Sequence, residues 1–290
     1  MTYFLTLAGR PGELWPSIID RVRDAVGGGE IAILSPGEAA DITLVAAPDM
    51  QAVRAALDNA PVDAIPSPAL NRRKRLLIAD MDSTIVTGET LDELADFAGL
   101  KDQIAAITRR SMNGEIDFAT ALRERVGMLK GLGLDALEKT WARMRLTDGA
   151  RALVATMRAH GAFTALVSGG FTFFTNRVAA GAGFDFHRAN VLLDDGTALL
   201  GRVAEPVLDR DAKLETLQGL AAERGIALEQ TLAVGDGAND LAMLRASGLG
   251  VAFRAKPIVA AEAHARVDHT SLRSLLFAQG YWAAEIITPQ

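Results

Sequence analysis

Two acidic clusters, each closing a short apolar run, constrain this chain more than any other feature. The first is Asp80-Met81-Asp82-Ser83-Thr84 after residues 75–79, and the second is Gly235-Asp236-Gly237-Ala238-Asn239-Asp240 after residues 231–234. Short continuous apolar runs of this kind predict buried strands of a parallel sheet. Open parallel α/β sheets bind ligands at the carboxyl ends of their strands, so we expect both clusters at the edge where chemistry occurs.

Residues 76–290 alternate strand-like and helix-like runs, which predicts an α/β fold with a doubly wound parallel sheet. Strands are expected at 76–79, 163–167, 231–234 and 250–253, and helices at 149–160 and 211–224. An Asp-Gly turn between apolar runs in residues 191–199 predicts a hairpin. Only helical periodicity occurs between residues 89 and 147, with helices expected at 90–98, 103–112, 118–130 and 136–144. An all-helical insertion after the first strand is typical of a lid.

Residues 1–70 follow the order βαββαβ, which predicts a small domain of its own. The Pro-Ser-Pro stretch at 66–68, followed by basic residues, indicates a linker. At 290 residues the chain has room for about two domains. We therefore expect an N-terminal domain over 1–70, a catalytic core over 74–88 and 148–290, and a helical cap over 89–147.

The composition excludes several classes of function. A net charge of −6 argues against nucleic acid and anionic membranes as partners. The chain has no cysteine, so thiolate catalysis, disulfides and cysteine-ligated metals are excluded. The first residues lack the pattern of a signal peptide or a membrane span, which predicts a cytoplasmic location.

Asp80 and Asp82 are candidate catalytic residues. On an extended strand end, side chains two residues apart project to the same side, so both carboxylates are expected to face one phosphate. Asp80 would attack phosphorus, and Asp82 would protonate the leaving alkoxide and later deprotonate water. The alternative for an isolated Asp-x-Asp is a solvated turn or a helix cap.

Asp236 and Asp240 offer hard oxygen ligands at a strand-to-helix turn, and Mg²⁺ prefers one or two carboxylates together with water and phosphate. A glycine turn with a capping Asn or Asp is the structural alternative. Two further elements suit a phosphate. Ser168-Gly169-Gly170 ends an apolar strand and offers a hydroxyl and backbone N–H groups, and Lys213 supplies a positive charge. Small residues at a turn and a lone helical lysine are also common without any ligand.

These four elements occur in the order of the haloacid dehalogenase superfamily motifs, and the chain resembles that superfamily over about residues 74–280. Residues 86–92 and 109–114, with Phe118 and Arg125, resemble the phosphoserine phosphatases in particular. The resemblance implies Mg²⁺-dependent hydrolysis of O-phospho-L-serine through an aspartyl phosphate, as the last step of serine biosynthesis.

The resemblance also implies a role for each matching residue. Asp80 would be the nucleophile and Asp82 the acid/base, and Mg²⁺ would be held by Asp80, Asp236 and the backbone carbonyl of Asp82. The phosphate would be held by Ser168, Gly169 and Lys213. The serine part would contact Glu89 through its ammonium and Arg125 through its carboxylate, with Met112 and Phe118 closing over it and Asn239 lining the site.

Residues 1–70 resemble the small ACT regulatory domain, which implies an amino-acid effector, with homodimerisation as a rival explanation. Two other functions stay open at this point. One is transfer of the phosphoryl group from phosphoserine to another alcohol such as homoserine. The other is a regulatory amino-acid-binding protein without catalysis.

Overall fold

The computed structural model describes residues 1–112, 115–209 and 211–289 of the chain. The N-terminal elements are β1 (Tyr3–Ala8), α1 (Pro16–Ala25), β2 (Ile31–Ser35), β3 (Ala39–Leu44), α2 (Met50–Leu57) and β4 (Asp63–Pro68). The strands form an antiparallel sheet in the order β2-β3-β1-β4, and the predicted βαββαβ sequence of elements is confirmed. Both helices pack through an apolar core that includes Val22 and Val53, neither of which is exposed.

The expected linker at 66–68 was wrong, because Pro66 and Pro68 lie inside β4. Of the other three strands in its sheet, β4 pairs only with β1. A proline tolerates such a position because its missing N–H is not needed on the open side of an edge strand. The proline signal therefore marks the edge of a sheet.

The remaining chain alternates strands and helices. In chain order these are β5 (Leu76–Ala79), β6 (Val86–Thr87), α3 (Thr90–Phe97), α4 (Lys101–Met112), α5 (Phe118–Gly127), α6 (Asp135–Arg143), β7 (Arg145–Leu146), α7 (Ala150–Ala159), β8 (Phe163–Phe171), α8 (Thr172–Ala182), β9 (Phe186–Asn190), β10 (Leu192–Asp194), β11 (Leu199–Val203), α9 (Asp211–Glu223), β12 (Thr231–Gly235), α10 (Leu241–Ala246), β13 (Leu249–Phe253), α11 (Pro257–Glu262), β14 (Ala265–Val267) and α12 (Ser274–Ala278). Within the described residues, no helix combines the length and the apolar character needed to cross a membrane.

A parallel sheet of six strands in the order β14-β13-β12-β5-β8-β9 forms the centre of the molecule, which confirms the predicted α/β fold. Alternate residues of β5 face opposite layers, with Leu77 and Ala79 in one apolar core and Leu76 and Ile78 in the other. All four are fully buried, so a continuous apolar run is the pattern that this central strand requires. Strands β9 and β14 were not predicted, because polar residues interrupt the apolar ones in both of them.

Helices α3 to α6 lie between β6 and β7, which pair with each other. The chain between α5 and α6 is bound to the predicted hairpin of β10 and β11. The N–H of Gly131 donates to the carbonyl of Leu199 and that of Leu134 to Thr197, at 2.8 and 3.0 Å. Arg123 of α5 also forms two hydrogen bonds with Glu205, at 3.0 and 3.1 Å. Main-chain bonds thus join the hairpin to the chain between α5 and α6, and a side-chain contact joins α5 to the residues just after β11.

The N-terminal sheet packs on α12 through buried polar contacts. Arg72 donates to Asp41 at 2.7 Å and to the carbonyls of Phe277 and Ala278 at 3.2 and 3.1 Å. The carboxylate of Asp63, which is 3% exposed, accepts the N–H and the hydroxyl of Thr270. Buried charges of this kind are held by several donors, because leaving one unpaired is costly.

Candidate active site

Polar residues of three neighbouring strands occur at one edge of the parallel sheet, where β5 lies between β12 and β8. Asp80 and Asp236 directly follow β5 and β12, and Ser168 lies within β8, beyond Leu166, which pairs with the last residue of β5. The N–H of Asp80 still bonds to the carbonyl of Val234 at 3.0 Å, so the parallel ladder holds the backbone of Asp80 in register. This is the edge at which the sequence places the chemistry.

Lys213 joins the two acidic clusters. Its Nζ lies 2.6 Å from Oδ1 of Asp80 and 2.5 Å from Oδ1 of Asp240. Its side chain is 3% exposed, as against 7% for Asp80 and none for Asp240. Burial alone would lower the pKa of Lys213, but the carboxylates of Asp240 and Asp80 outweigh burial and raise it. Lys213 is therefore a permanent cation at this site.

Burial and the nearby carboxylates of Asp240 and Asp82 raise the pKa of Asp80, although the ammonium of Lys213 opposes the shift. The second oxygen of Asp240 accepts the N–H of Gly237 at 3.0 Å. A Cβ at Gly235 would overlap the carboxyl group of Asp240, so the absence of a side chain there is what admits this residue. Gly235 thus serves the packing of Asp240.

Asp82 reaches the site by a turn, and the expected extended strand end was wrong. The strand stops at Ala79, and the chain turns over Met81–Ile85 with Ser83 in the left-handed region at φ +54°. Both oxygens of Asp82 are bound by Thr90 at the start of α3, the N–H at 3.0 Å and the hydroxyl at 3.2 Å. Burial, with a further contribution from Glu89, raises the pKa of Asp82 to about 7. A carboxyl group that titrates near neutral pH is suited to both donating and accepting a proton.

Residues 168–170, here called the Ser168 loop, form an irregular stretch within β8 at this edge of the sheet. The N–H of Gly170 donates to Oγ of Ser168 at 2.9 Å, and Ser168 is 1% exposed. A Cβ at Gly169 would lie 3.0 Å from the ring of Phe118, and one at Gly170 would lie 3.1 Å from Oδ2 of Asp82. The absence of side chains at Gly169 and Gly170 therefore allows Phe118 and Asp82 to approach these residues closely.

Two opposite charges lie on the cap side. Glu89 accepts the hydroxyl of Ser83 at 2.8 Å, and Arg125 donates to the carbonyl of Ala121 at 3.2 Å. Glu89 keeps contact with solvent, yet the surrounding protein removes enough hydration to raise its pKa. Burial lowers the pKa of Arg125, while Asp92 and Glu89 act in the opposite direction. The side chain of Met112, also predicted at the site, lies outside the described part of the structure.

A group of carboxylates suits a divalent cation. Asp80, Asp236 and Asp240 each offer an oxygen within 4.8 Å of the other two. Burial, together with the charge of Asp240, raises the pKa of Asp236 to about 6. The nearby positive charges of Lys213 and Lys256 therefore do not fully offset the cost of ionising this carboxyl group. Hard carboxylate oxygens match the preference of Mg²⁺, and the residues therefore fit the expected ion. Asn239 lies between Asp236 and Asp240 in the chain, at the same turn.

Sequence reasoning missed three residues near the site. Thr90 binds Asp82, Asn190 binds the carbonyl of Gly169 at 2.9 Å, and Lys256 contributes positive charge to Glu89 and Asp236. Each of these residues lies on a different element from the group that it contacts or influences, so the local sequence around either one does not indicate the contact. Asn190 ends β9, a strand that the sequence did not predict, so its position gave no signal either.

Comparison with known proteins gives consistent results. A family model described as haloacid dehalogenase-like hydrolase matches residues 74–248. The phosphoserine phosphatase of Archaeoglobus fulgidus is 41% identical over 210 residues, covering 72% of this chain and 61% of that protein. The phosphoserine phosphatase of Streptococcus thermophilus is 43% identical over 203 residues, covering 70% of this chain and 94% of that protein.

Among solved structures, a haloacid dehalogenase family hydrolase from Salmonella enterica serovar Typhi is 30% identical, with a TM-score of 0.84. The superposition covers 96% of this chain and 98% of that one, including the N-terminal domain. Some curated relatives are covered only in part, since the chain spans about three fifths of the Archaeoglobus protein and about half of the relatives from Streptomyces coelicolor and Mycobacterium tuberculosis.

Proposed function

Because the chain belongs to the haloacid dehalogenase-like hydrolase family, we propose that it hydrolyses O-phospho-L-serine to L-serine and phosphate. One observation carries the proposal. The buried ion pair of Lys213 and Asp80, beside Asp82, provides a phosphate side, and Glu89 and Arg125 on the cap provide an amino-acid side. A zwitterion requires one anion and one cation placed apart, and Arg suits a carboxylate through its two parallel donors. Relatives named phosphoserine phosphatase support the substrate.

In the first step a carboxylate oxygen of Asp80 forms a bond to phosphorus, and the bond from phosphorus to the serine oxygen breaks. Asp82 gives its proton to the departing oxygen, so that serine leaves as a neutral alcohol. The pKa of about 7 at Asp82 makes this proton available near neutral pH. The product of the step is an aspartyl phosphate on Asp80.

In the second step a water oxygen attacks phosphorus as Asp82, now ionised, takes a proton from that water. The bond between phosphorus and Asp80 breaks, and phosphate leaves with the carboxylate restored. Lys213, the hydroxyl of Ser168 and the N–H of Gly169 would hold the phosphoryl oxygens through both steps, which keeps the reacting atoms in place. Phe118, close against Gly169, would exclude bulk water from the first step.

Asp80 and Asp236, with the backbone carbonyl of Asp82, would hold Mg²⁺, which would neutralise charge on the phosphate. Glu89 would bind the substrate ammonium and Arg125 its carboxylate, with Met112 over the substrate and Asn239 lining the site. An amino-acid effector or a homodimer contact at the N-terminal domain stays a prediction.

The test is phosphate release with Mg²⁺ over a panel of phosphoserine, phosphothreonine and sugar phosphates, with and without homoserine as acceptor. We expect phosphoserine to give the highest kcat/KM, with one phosphate released per serine formed. Transfer to homoserine that reduces free phosphate would instead identify a phosphotransferase. Serine binding without turnover of any ester would identify an amino-acid-binding protein.

A further inference from the structure

The Ser168 loop interrupts the pairing of β8 with β9. Val167 pairs with Arg188, but the next pair is Phe171 with Asn190. Three residues on β8, Ser168 to Gly170, are therefore opposed by Ala189 alone. A bulge of this kind leaves main-chain groups without ladder partners, and buried groups of that type need another partner.

The amide of Asn190 supplies that partner. Its Nδ2 donates to the carbonyl of Gly169 at 2.9 Å, and its Oδ1 accepts the N–H of Leu208 at 2.8 Å. Asn190 is 2% exposed, so both contacts are shielded from water. Leu208 belongs to the segment that leads into α9, the helix that carries Lys213. One side chain thus ties together two segments that bear phosphate-binding residues.

The contact of Asn190 with Gly169 also affects the hydroxyl group of Ser168 through the next peptide group. The carbonyl of Gly169 and the N–H of Gly170 belong to the same peptide group, so binding one end orients the other. That N–H donates to Oγ of Ser168 at 2.9 Å. A hydroxyl that accepts this bond keeps its own hydrogen for a second acceptor, and hydrogen bonds in such a chain strengthen one another.

We propose that Asn190 is a positioning residue for phosphate: it holds the peptide between Gly169 and Gly170 so that Ser168 presents its hydroxyl hydrogen to a phosphoryl oxygen. The inference rests on the proposed function, because it takes the Ser168 loop to be a phosphate site. Asn190 itself does not touch the substrate.

Asn190→Asp is the sharpest variant, because it keeps the shape and the acceptor for Leu208 but replaces the donor to Gly169 with an oxygen. Asn190→Ala is a second variant without the added charge. Thr175→Val is the matched control. Thr175 of α8 is fully buried, and its hydrogen bond at 3.0 Å is to His187 of β9 and not to residues 168–170, so its loss affects stability in the same region.

The measurement is the dissociation constant of inorganic phosphate with Mg²⁺, by calorimetry, together with kcat and KM for phosphoserine and the Tm of each protein. We expect both Asn190 variants to weaken the binding of phosphate by about 5- to 100-fold, because a buried carbonyl loses its donor. We also expect them to raise KM by a larger factor than they lower kcat. Thr175→Val should bind phosphate as tightly as the wild type does, even if its Tm falls as much as the Tm of the Asn190 variants.

Unchanged phosphate affinity in a folded Asn190 variant would overturn the inference, as would an equal loss in Thr175→Val. If Asn190→Asp does not fold, Asn190→Ala decides, and in either variant the Gly170 amide resonance should move in the ¹⁵N spectrum. Wild-type protein that binds no phosphate and releases none would refute the proposed function itself, a result distinguishable from failure of the Asn190 proposal.

Discussion

The ammonium nitrogen of Lys213 lies 2.6 Å from a carboxylate oxygen of Asp80, and both side chains are almost completely buried. The same nitrogen contacts Asp240, so one cation compensates two buried anions. The ammonium of Lys213 opposes the rise in the pKa of Asp80 that burial and the neighbouring carboxylates cause, and its own burial makes Lys213 as much a part of the folded core as of the site.

Lys213→Met should therefore weaken the binding of every phosphate ester to the same degree and also destabilise the fold. Removing one partner of a buried ion pair costs about 3 to 5 kcal/mol, and the loss should shrink at low pH, where Asp80, whose pKa is raised, can protonate. Urea denaturation at pH 5 and pH 8 and the phosphate dissociation constant measure the two effects. Lys139→Met, at an exposed lysine paired with Asp135, is the control. Normal phosphate affinity in Lys213→Met would contradict the role.

Asp80→Asn should abolish turnover while the protein stays folded, because an amide of the same shape is a poor nucleophile. Single-turnover assays with phosphoserine and mass spectrometry for a phosphorylated protein test this. Phosphoryl transfer in a preparation shown free of deamidated protein would place the nucleophile elsewhere.

Asp82→Asn should lower kcat by about 10²- to 10⁴-fold, since general acid/base help is lost while the nucleophile remains. An aryl phosphate, whose leaving group needs less protonation, should recover part of the first step. Near-normal turnover of phosphoserine would exclude Asp82 as the acid/base.

The same variant should change stability with a defined sign. In the folded protein the pKa of Asp82 is raised from 3.8 to about 7. The contribution of Asp82 to the free energy of unfolding is therefore fully present below pH 3.8 and is lost as the pH rises through about 7. Without metal, Asp82→Asn should therefore be more stable than wild type by about 1 to 3 kcal/mol at pH 8, and by less at pH 5. Urea melts in chelator measure this difference, and a larger gain at pH 5 would reverse the sign and contradict it.

Activity should require Mg²⁺, and the affinity for Mg²⁺ should fall as the pH drops through about 6, where Asp236 protonates. Ca²⁺ should inhibit, since it takes more oxygen ligands at longer distances than Mg²⁺ does. Metal titrations of activity at several pH values test both points. Full activity after exhaustive chelation would refute the metal site.

Arg125→Lys should lower kcat/KM for phosphoserine by roughly 10- to 150-fold, because the bidentate donor to the substrate carboxylate is lost. A small phosphate ester without a carboxylate should hardly respond, and Glu89→Gln should likewise spare esters that lack an ammonium. Arg123→Lys, in the same helix but paired with Glu205, is the control. Equal losses for both substrates would assign Arg125 to cap stability.

Much of the core could be predicted from local patterns. The strands before Asp80 and Asp236 are short apolar runs because both faces of a central strand are buried, and the helical cap is evident from its periodicity. The hairpin is evident from its Asp-Gly turn. Such patterns indicate which side chains of a strand or helix are buried. They can therefore be recognised without knowing which other element packs against it.

Only the tertiary structure decided which groups meet. That Lys213 bonds to Asp80 and Asp240, that Thr90 holds Asp82, and that Asn190 fills the bulge beside Gly169 are contacts between residues far apart in the chain or brought together by a turn. The same is true of Pro66, which lies in an edge strand because β4 pairs with β1. Period and composition determine whether a side chain is buried, but its hydrogen-bond and ionic partners depend on strand order and turn geometry, which no local pattern contains.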